Sequence, residues 1–542
     1  MKTKCLIISV LLTSLIFSCA MNGDDNKPNE PKNSEKTSEA TSETPAEKIN
    51  AKSPAVSANR MLISPDGSAV TFTCTAESSD GSLSYQWYTS TDGAEENKSA
   101  IEGATSATYT TEAFTQKEIR YYFCTVTNTI SDNGDKGNKT ASQTTPFYAA
   151  YTGLPVIEIE TVDKEEPTAD YVSPPAGCYG GGLKNATKVP GQMKIIKDGV
   201  SIYNSGSYVK KQSGITIKLR GNTSAYSAKK PYKIKLQKKA DLLDGLVQNR
   251  DSNCKDKDWI LLKDATSLNT FVGMTVADIL GTPWTPEFAF VDVVLNGDYK
   301  GVYLLIEAIS QNVKRINVAD DGYIIERDAY WWNEDVKFIT PLYNQKYTFK
   351  YPDEEDVQKD ESILTYIENY MNNLEQNVQA GNYEDYLDVE SFARWLLIHD
   401  ILGTWDAGGS NVYIYKYDST ENSKIFMATT WDYDSNYCMK DSWANQHNGD
   451  RIYADPMFKS DNPAFKNSYK TQWKTISSTL WPELLTKLEE LNSLQGEDIN
   501  LSRKCDAYRW NGTSVTVTDN IKTAEDWFVT RTSWLNMNIY KL

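Results

Sequence analysis

Two short acidic loops separated by two strand-length runs constrain this chain more than any other feature. Trp405-Asp406-Ala407-Gly408-Gly409-Ser410-Asn411 leads into a run over 411–417, a turn over 418–423, a second run over 424–430, and then Trp431-Asp432-Tyr433-Asp434. The two runs read as strands of a β-hairpin. A hairpin returns its second strand to the end where the first began, so Asp432 comes back towards Asp406 and Asn411. Carboxylate and amide oxygens gathered in this way suit magnesium or manganese. Asp434, two positions along an extended strand from Asp432, shares its face and offers a further ligand. Taken alone, each half also reads as an ordinary turn or an acidic strand end.

At 542 residues the chain exceeds one ordinary core and divides into several units. Met1-Lys2-Thr3-Lys4 is a basic start, residues 5–17 are apolar, and Ser18 stands directly before Cys19. This pattern predicts a lipoprotein signal over 1–18 with lipid attached at Cys19, since the apolar run is too short to span a bilayer with flanks. Residues 19–54, rich in Asn, Glu, Lys, Ser, Thr and Pro, read as a disordered linker. Gly23-Asp24-Asp25 resembles the acidic tag of surface lipoproteins, so the expected location is the bacterial cell envelope, lipid-anchored at the outer membrane and displayed outward. A net charge of −17 repels polyanions and argues against general nucleic-acid binding. Only His399 and His447 are present, which leaves few parts for a histidine zinc site or a Ser-His-Asp hydrolase. His399 lies in an apolar helical stretch and reads as a packed core residue.

From 55 to 150 the sequence changes to short alternating strands. Cys74, Trp87 and Cys124, with Tyr122 two positions before the second cysteine, have a spacing that resembles an immunoglobulin-like β-sandwich. The resemblance implies a Cys74 to Cys124 disulfide beneath Trp87. Such a module serves either as a ligand-binding domain or as a rigid spacer, and a single copy behind a lipid anchor suits the spacer. Cys178, Cys254, Cys438 and Cys505 allow three pairings that the sequence does not separate, and none has CxxC spacing.

Residues 155–542 show strands first and helices later, an α+β order. Strand-like runs cover 215–219, 232–236, 288–295, 299–306 and 323–327, with Asn296-Gly297 as a tight turn. Amphipathic helices are predicted over 361–379, 389–401, 480–491 and 524–539. Within this frame Arg220-Gly221-Asn222-Thr223-Ser224, Lys229-Lys230-Pro231-Tyr232-Lys233-Ile234-Lys235-Leu236, Asp258-Trp259-Ile260-Leu261-Leu262, Gly301-Val302-Tyr303-Leu304-Leu305-Ile306-Glu307, Gly322-Tyr323-Ile324-Ile325-Glu326 and the two acidic loops follow in order. Together they resemble the spore-coat CotH kinase family, an atypical group related in fold to protein kinases.

The resemblance implies a two-lobed kinase-like domain, with a lobe of strands over a helical lobe and ATP between them. It implies Asp406 as the catalytic aspartate that accepts a substrate hydroxyl proton, and Asn411 and Asp432 as metal ligands with Asp434 as a second ligand or helper. For the phosphate-facing cation Lys233 and Lys235 share one strand face, with Glu307 or Glu326 as acidic partner; Lys230 and Arg220 are rivals. The chain departs from ordinary protein kinases in lacking a GxGxxGxV loop. Thr404-Trp405-Asp406 replaces His-Arg-Asp, and Asp432-Tyr433-Asp434 stands at the Asp-Phe-Gly position. Gly180-Gly181-Gly182 reads as a flexible loop or a plain turn. Two functional readings follow: γ-phosphoryl transfer from ATP to a protein hydroxyl, and a surface scaffold that binds a glycan or protein through exposed aromatic residues.

Overall fold

The computed structural model describes residues 50–131, 139–248, 250, 254–406, 409–445, 447 and 452–542. The signal segment, Cys19 and nearly all of the expected linker lie outside these residues, as do Ala407 and Gly408 of the first acidic loop.

Two sheets face each other in the first described unit. One holds Ala55–Ala58, Thr71–Glu77 and Thr108–Thr110; the other holds Met61–Ile63, Thr140–Tyr151, Glu118–Thr129, Ser82–Ser90 and Ser99–Ala100. Inward-facing Phe72, Trp87, Tyr122, Val126 and Phe147 fill the space between them. The Trp87 indole donates to Ser106 O at 2.8 Å. Cys74 and Cys124 are fully buried free thiols, one on each of the two facing sheets.

The next strands close on themselves. Val189–Lys197, Ile215–Leu219, Tyr232–Ala240, Asp256–Leu262, Asp298–Glu307, Phe288–Leu295 and Val156–Thr161 form a seven-strand barrel, because Val156–Thr161 pairs with both Phe288–Leu295 and Val189–Lys197. Strands were expected here, but not the closure. Period-two alternation is the same in an open and a closed sheet, and closure rests on one distant parallel pairing. Ile157, Ile195, Ile217, Ile234, Trp259 and Leu305 fill the interior. Asn296 and Gly297 both have positive φ, 54° and 83°, which is the turn that suits a two-residue hairpin.

On the strand Asp298–Glu307 both faces are buried. Tyr303 and Leu305 point into the barrel, while Val302, Leu304 and Ile306 point outward to the larger core shared with the helix Asn269–Ile279. A five-stranded antiparallel sheet follows, ordered Lys337–Ile339, Lys346–Tyr351, Tyr323–Arg327, Val412–Lys416 and Ile425–Thr429. Its last two strands are the predicted hairpin.

Helices complete this core. Glu361–Ala380 starts at the Asp360 cap and stops at Gly381, with φ of 80°, while Val389–Leu402 starts at Asp388. Leu480–Trp510 runs well past the predicted end at 491 because its buried face turns polar, with Ser502, Arg503 and Asp506 inside. Val517–Asn538 opens with a Thr516 and Asp519 capping box. His399 is fully buried, as its context predicted, and burial holds its pKa down to about 3. The chain is thus multidomain, β-rich towards its N-terminus and helical towards its C-terminus. No helix among the described residues is long and apolar enough to cross a membrane.

Candidate active site

The hairpin Val412–Lys416 and Ile425–Thr429 brings its two flanking loops to one end of the sheet. There Asn411 Nδ2 donates to Asp432 Oδ2 at 2.8 Å. Both residues have left-handed backbones, φ 64° and 69°, a conformation that costs a side-chain-bearing residue free energy and so must be held by its surroundings. For Asn411 the holding groups come from the neighbouring strand Tyr323–Arg327 and the residue after it. Its N–H donates to Glu326 Oε1 at 2.9 Å, and Ser410 Oγ donates to Asp328 Oδ1 at 2.9 Å. For Asp432 the clamp is Tyr433, buried against Gly273 and hydrogen-bonded through its hydroxyl to Thr430 Oγ1.

Asp406 is exposed beside Trp405. The backbone N–H groups of Trp405 and Asp406 both donate to Ser435 Oγ, at 3.2 and 3.0 Å. One hydroxyl therefore ties the first acidic loop to the second.

Electrostatically the site is short of positive charge. Burial, with Asp434 and Asp264 close by, raises the Asp432 pKa to about 7, while Arg220 opposes the shift and Asp406 adds to it. Asp434 is raised by burial and by the same aspartates. The Arg220 guanidinium lies 6.0 Å from the Trp431 ring. A divalent cation would relieve this repulsion. Among the described residues no three His, Cys, Asp or Glu side chains meet at metal-holding distance. Asn411 and Asp432 offer amide and carboxylate oxygens, the donor types that magnesium takes alongside water and phosphate oxygens.

Several expectations need correction. Asp434 does not share a strand face with Asp432, because the chain leaves the sheet after Thr429 and turns at the left-handed Asp432; it reaches the cluster by that turn instead. Lys233 and Lys235 do share a face, but both pair with Asp258, at 2.8 and 3.9 Å. Glu307 has the strand parity of Tyr303 and Leu305, opposite to the outward lysines. It is held by Arg250 at 2.8 Å, Cys254 Sγ at 2.8 Å and Trp284 Nε1 at 3.2 Å. Glu326 pairs with Lys350 at 2.7 Å. Lys230 donates to Tyr171 OH at 2.9 Å and Ala225 O at 2.8 Å.

Two residues beside the site escaped the sequence reading. Asp264 follows a buried strand, and Lys350 is one of two lysines on its strand. Lys218 was passed over as well, although a two-residue spacing on a strand puts it on the Arg220 face. Gly180 to Gly182 pack closely: a Cβ at Gly181 would lie 2.7 Å from the Tyr226 hydroxyl, and one at Gly180 3.0 Å from the Tyr330 ring. Trp332 Nε1 and Asn333 Nδ2 donate to the flanking Tyr179 and Leu183 carbonyls.

No curated protein matches the chain. The family model described as CotH kinase protein matches residues 217–535, more than half of the chain and the whole of the site just described. On that match, the chain belongs to the CotH kinase protein family.

Proposed function

We propose that the chain is a phosphotransferase that moves the γ-phosphoryl group of ATP to a hydroxyl on a protein acceptor, with magnesium or manganese at Asn411 and Asp432. The observation that carries this reading is their 2.8 Å contact between loops 21 positions apart, each in a left-handed backbone, with Asp406 anchored to the same turn through Ser435. Bound there, the cation would neutralise phosphate charge. Asp406 orients the acceptor hydroxyl and takes its proton, Arg220 offsets negative charge beside Asp432, and Ser435 fixes the separation of the two loops.

The test is phosphate incorporation from γ-labelled ATP, followed by mass spectrometry of the modified residues. Asp432→Ala should abolish both incorporation and metal-dependent ATP binding, whereas Asp406→Asn should abolish incorporation and spare binding. Undiminished incorporation in either variant overturns the assignment.

The finer architecture belongs to the same proposal. The barrel and the helical part act as the two lobes of a kinase-like domain, and the N-terminal sandwich is an immunoglobulin-like spacer in which Cys74 and Cys124 oxidise to a disulfide outside the cytoplasm. Cys19 carries the lipid that anchors the chain to the outer membrane, and Cys19→Ala should move the protein out of the membrane fraction. A second reading draws on three exposed rings, Tyr179 at 59%, Trp405 at 53% and Tyr226 at 49% exposure. These suit a non-catalytic scaffold that stacks on glycans, and glycan binding that ignores both magnesium and Asp406→Asn would favour it.

A further inference from the structure

We propose that Lys218, rather than Lys233 or Lys235, receives the phosphate chain of the nucleotide, next to Arg220. The inference deepens the ATP reading above and rests on it.

On Ile215–Leu219 the side chains of Ile217 and Leu219 fill the barrel, so Lys218 points outward, and Arg220 follows on the same face. Arg220, just beyond the strand end, lies against Trp431 and acts on Asp432. Two strand positions separate the two cations by about 6.6 Å, enough to meet different phosphate groups of one chain.

Several neighbouring lysines are already committed. Lys233 holds Asp258, and Lys230 holds Tyr171 and Ala225. Lys229 pairs with Asp506, Lys263 donates to Ser227 Oγ at 2.7 Å, and Lys350 pairs with Glu326. Lys218 is half-buried and has no hydrogen bond or ion pair among the described residues. Lys233 stands directly opposite it in register, so its nearest cross-strand neighbour carries the same charge. Glu334 and Asp258 act on it only at a distance, and burial together with Lys233 and Lys188 depresses its pKa. An ammonium kept from water without a partner is costly, and a multivalent anion offsets that cost.

Calorimetric titration of the whole protein with magnesium ATP, adenosine and inorganic tripolyphosphate tests this. Lys218→Met should weaken ATP binding by about 10- to 100-fold, the usual worth of a charged hydrogen bond, and leave adenosine binding unchanged. Lys218→Arg should restore part of the loss. Lys238→Met, at an exposed position of the adjoining strand, should bind as the parent does. Without ligand, Lys218→Met should melt no lower than the parent, since it removes an unpaired charge; a merely structural lysine would lower the melting temperature.

Parent-like ATP affinity in Lys218→Met, or a lower melting temperature with equal losses for adenosine and ATP, overturns the proposal. If the parent binds tripolyphosphate through Lys218 but not ATP, the anion site stands and the kinase reading falls. If the parent binds neither, both fall.

Discussion

Gly273 shows how one missing side chain places the acidic turn. It sits inside the helix Asn269–Ile279, where glycine costs about 1 kcal/mol relative to alanine. A Cβ there would lie 2.1 Å from the Tyr433 ring, so the ring occupies the space and carries Asp432 and Asp434 on either side. Gly273→Ala should therefore lower the unfolding free energy by about 1–3 kcal/mol despite its better helix propensity, and weaken metal-dependent ATP binding with it. Denaturant titration decides this, since a gain in stability would mean that Tyr433 is not clamped there. Asp432 itself trades stability for charge. Its pKa is raised from 3.8 to about 7, so its contribution to stability is present at low pH and lost as pH rises through 7. At pH 8 without metal, Asp432→Asn should stabilise the fold by on the order of 1–2 kcal/mol, since asparagine tolerates the left-handed backbone and keeps an oxygen towards Asn411. Melting with and without manganese should show that gain, together with loss of the metal-induced shift.

At the scale of elements, the central strand Tyr323–Arg327 supports the site from below. Burial raises the Glu326 pKa and works against the Lys350 ammonium, yet Glu326 more than compensates and pulls the Lys350 pKa up. The pair lies beneath Asn411, whose N–H donates to Glu326. Lys350→Met leaves Glu326 as an unpaired buried charge and should cost about 3–5 kcal/mol, whereas adding Glu326→Gln should recover most of that loss. A double-mutant cycle on unfolding free energies measures the coupling, and additive losses would refute it. Much of this scale was legible in the sequence. The strands Ile215–Leu219, Phe288–Leu295 and Tyr323–Arg327 and the hairpin after Asn411 were all visible, because each alternates or runs apolar between turn residues. The partners of Glu326 and Glu307 were not, because strand parity says which face a residue takes and nothing of which cation waits there. Barrel closure and the polar half of Leu480–Trp510 stayed hidden for the same reason: both depend on contacts between distant segments.

Across the whole molecule, the sandwich, the barrel and the C-terminal helices meet at one junction. Met61, Ile63 and Ala150 pack with Val156, Tyr299 and Cys505; Tyr148 stacks on Tyr508 at 4.5 Å, and Lys117 pairs with Asp498 at 2.6 Å. The sandwich is thus docked on the rest of the chain instead of hanging from it. At the centre lies Asp292, fully buried, which accepts hydrogen bonds from Thr152 at 2.6 Å, Tyr299 at 2.7 Å and Ser502 at 2.9 Å, one from each body. These three donors favour the carboxylate, but burial outweighs them and lifts its pKa from 3.8 to about 6. A raised carboxyl pKa gives stability that is complete below about pH 4 and lost as pH climbs through 6. Asp292→Asn keeps an uncharged group of the same shape and removes the titration. The unfolding free energy of the parent relative to this variant should therefore fall by about 2 kcal/mol between pH 4 and pH 7, with sandwich and barrel unfolding in a single transition. A difference that stays flat across that range, or a sandwich that melts separately in the parent, would show that the junction does not couple the three bodies.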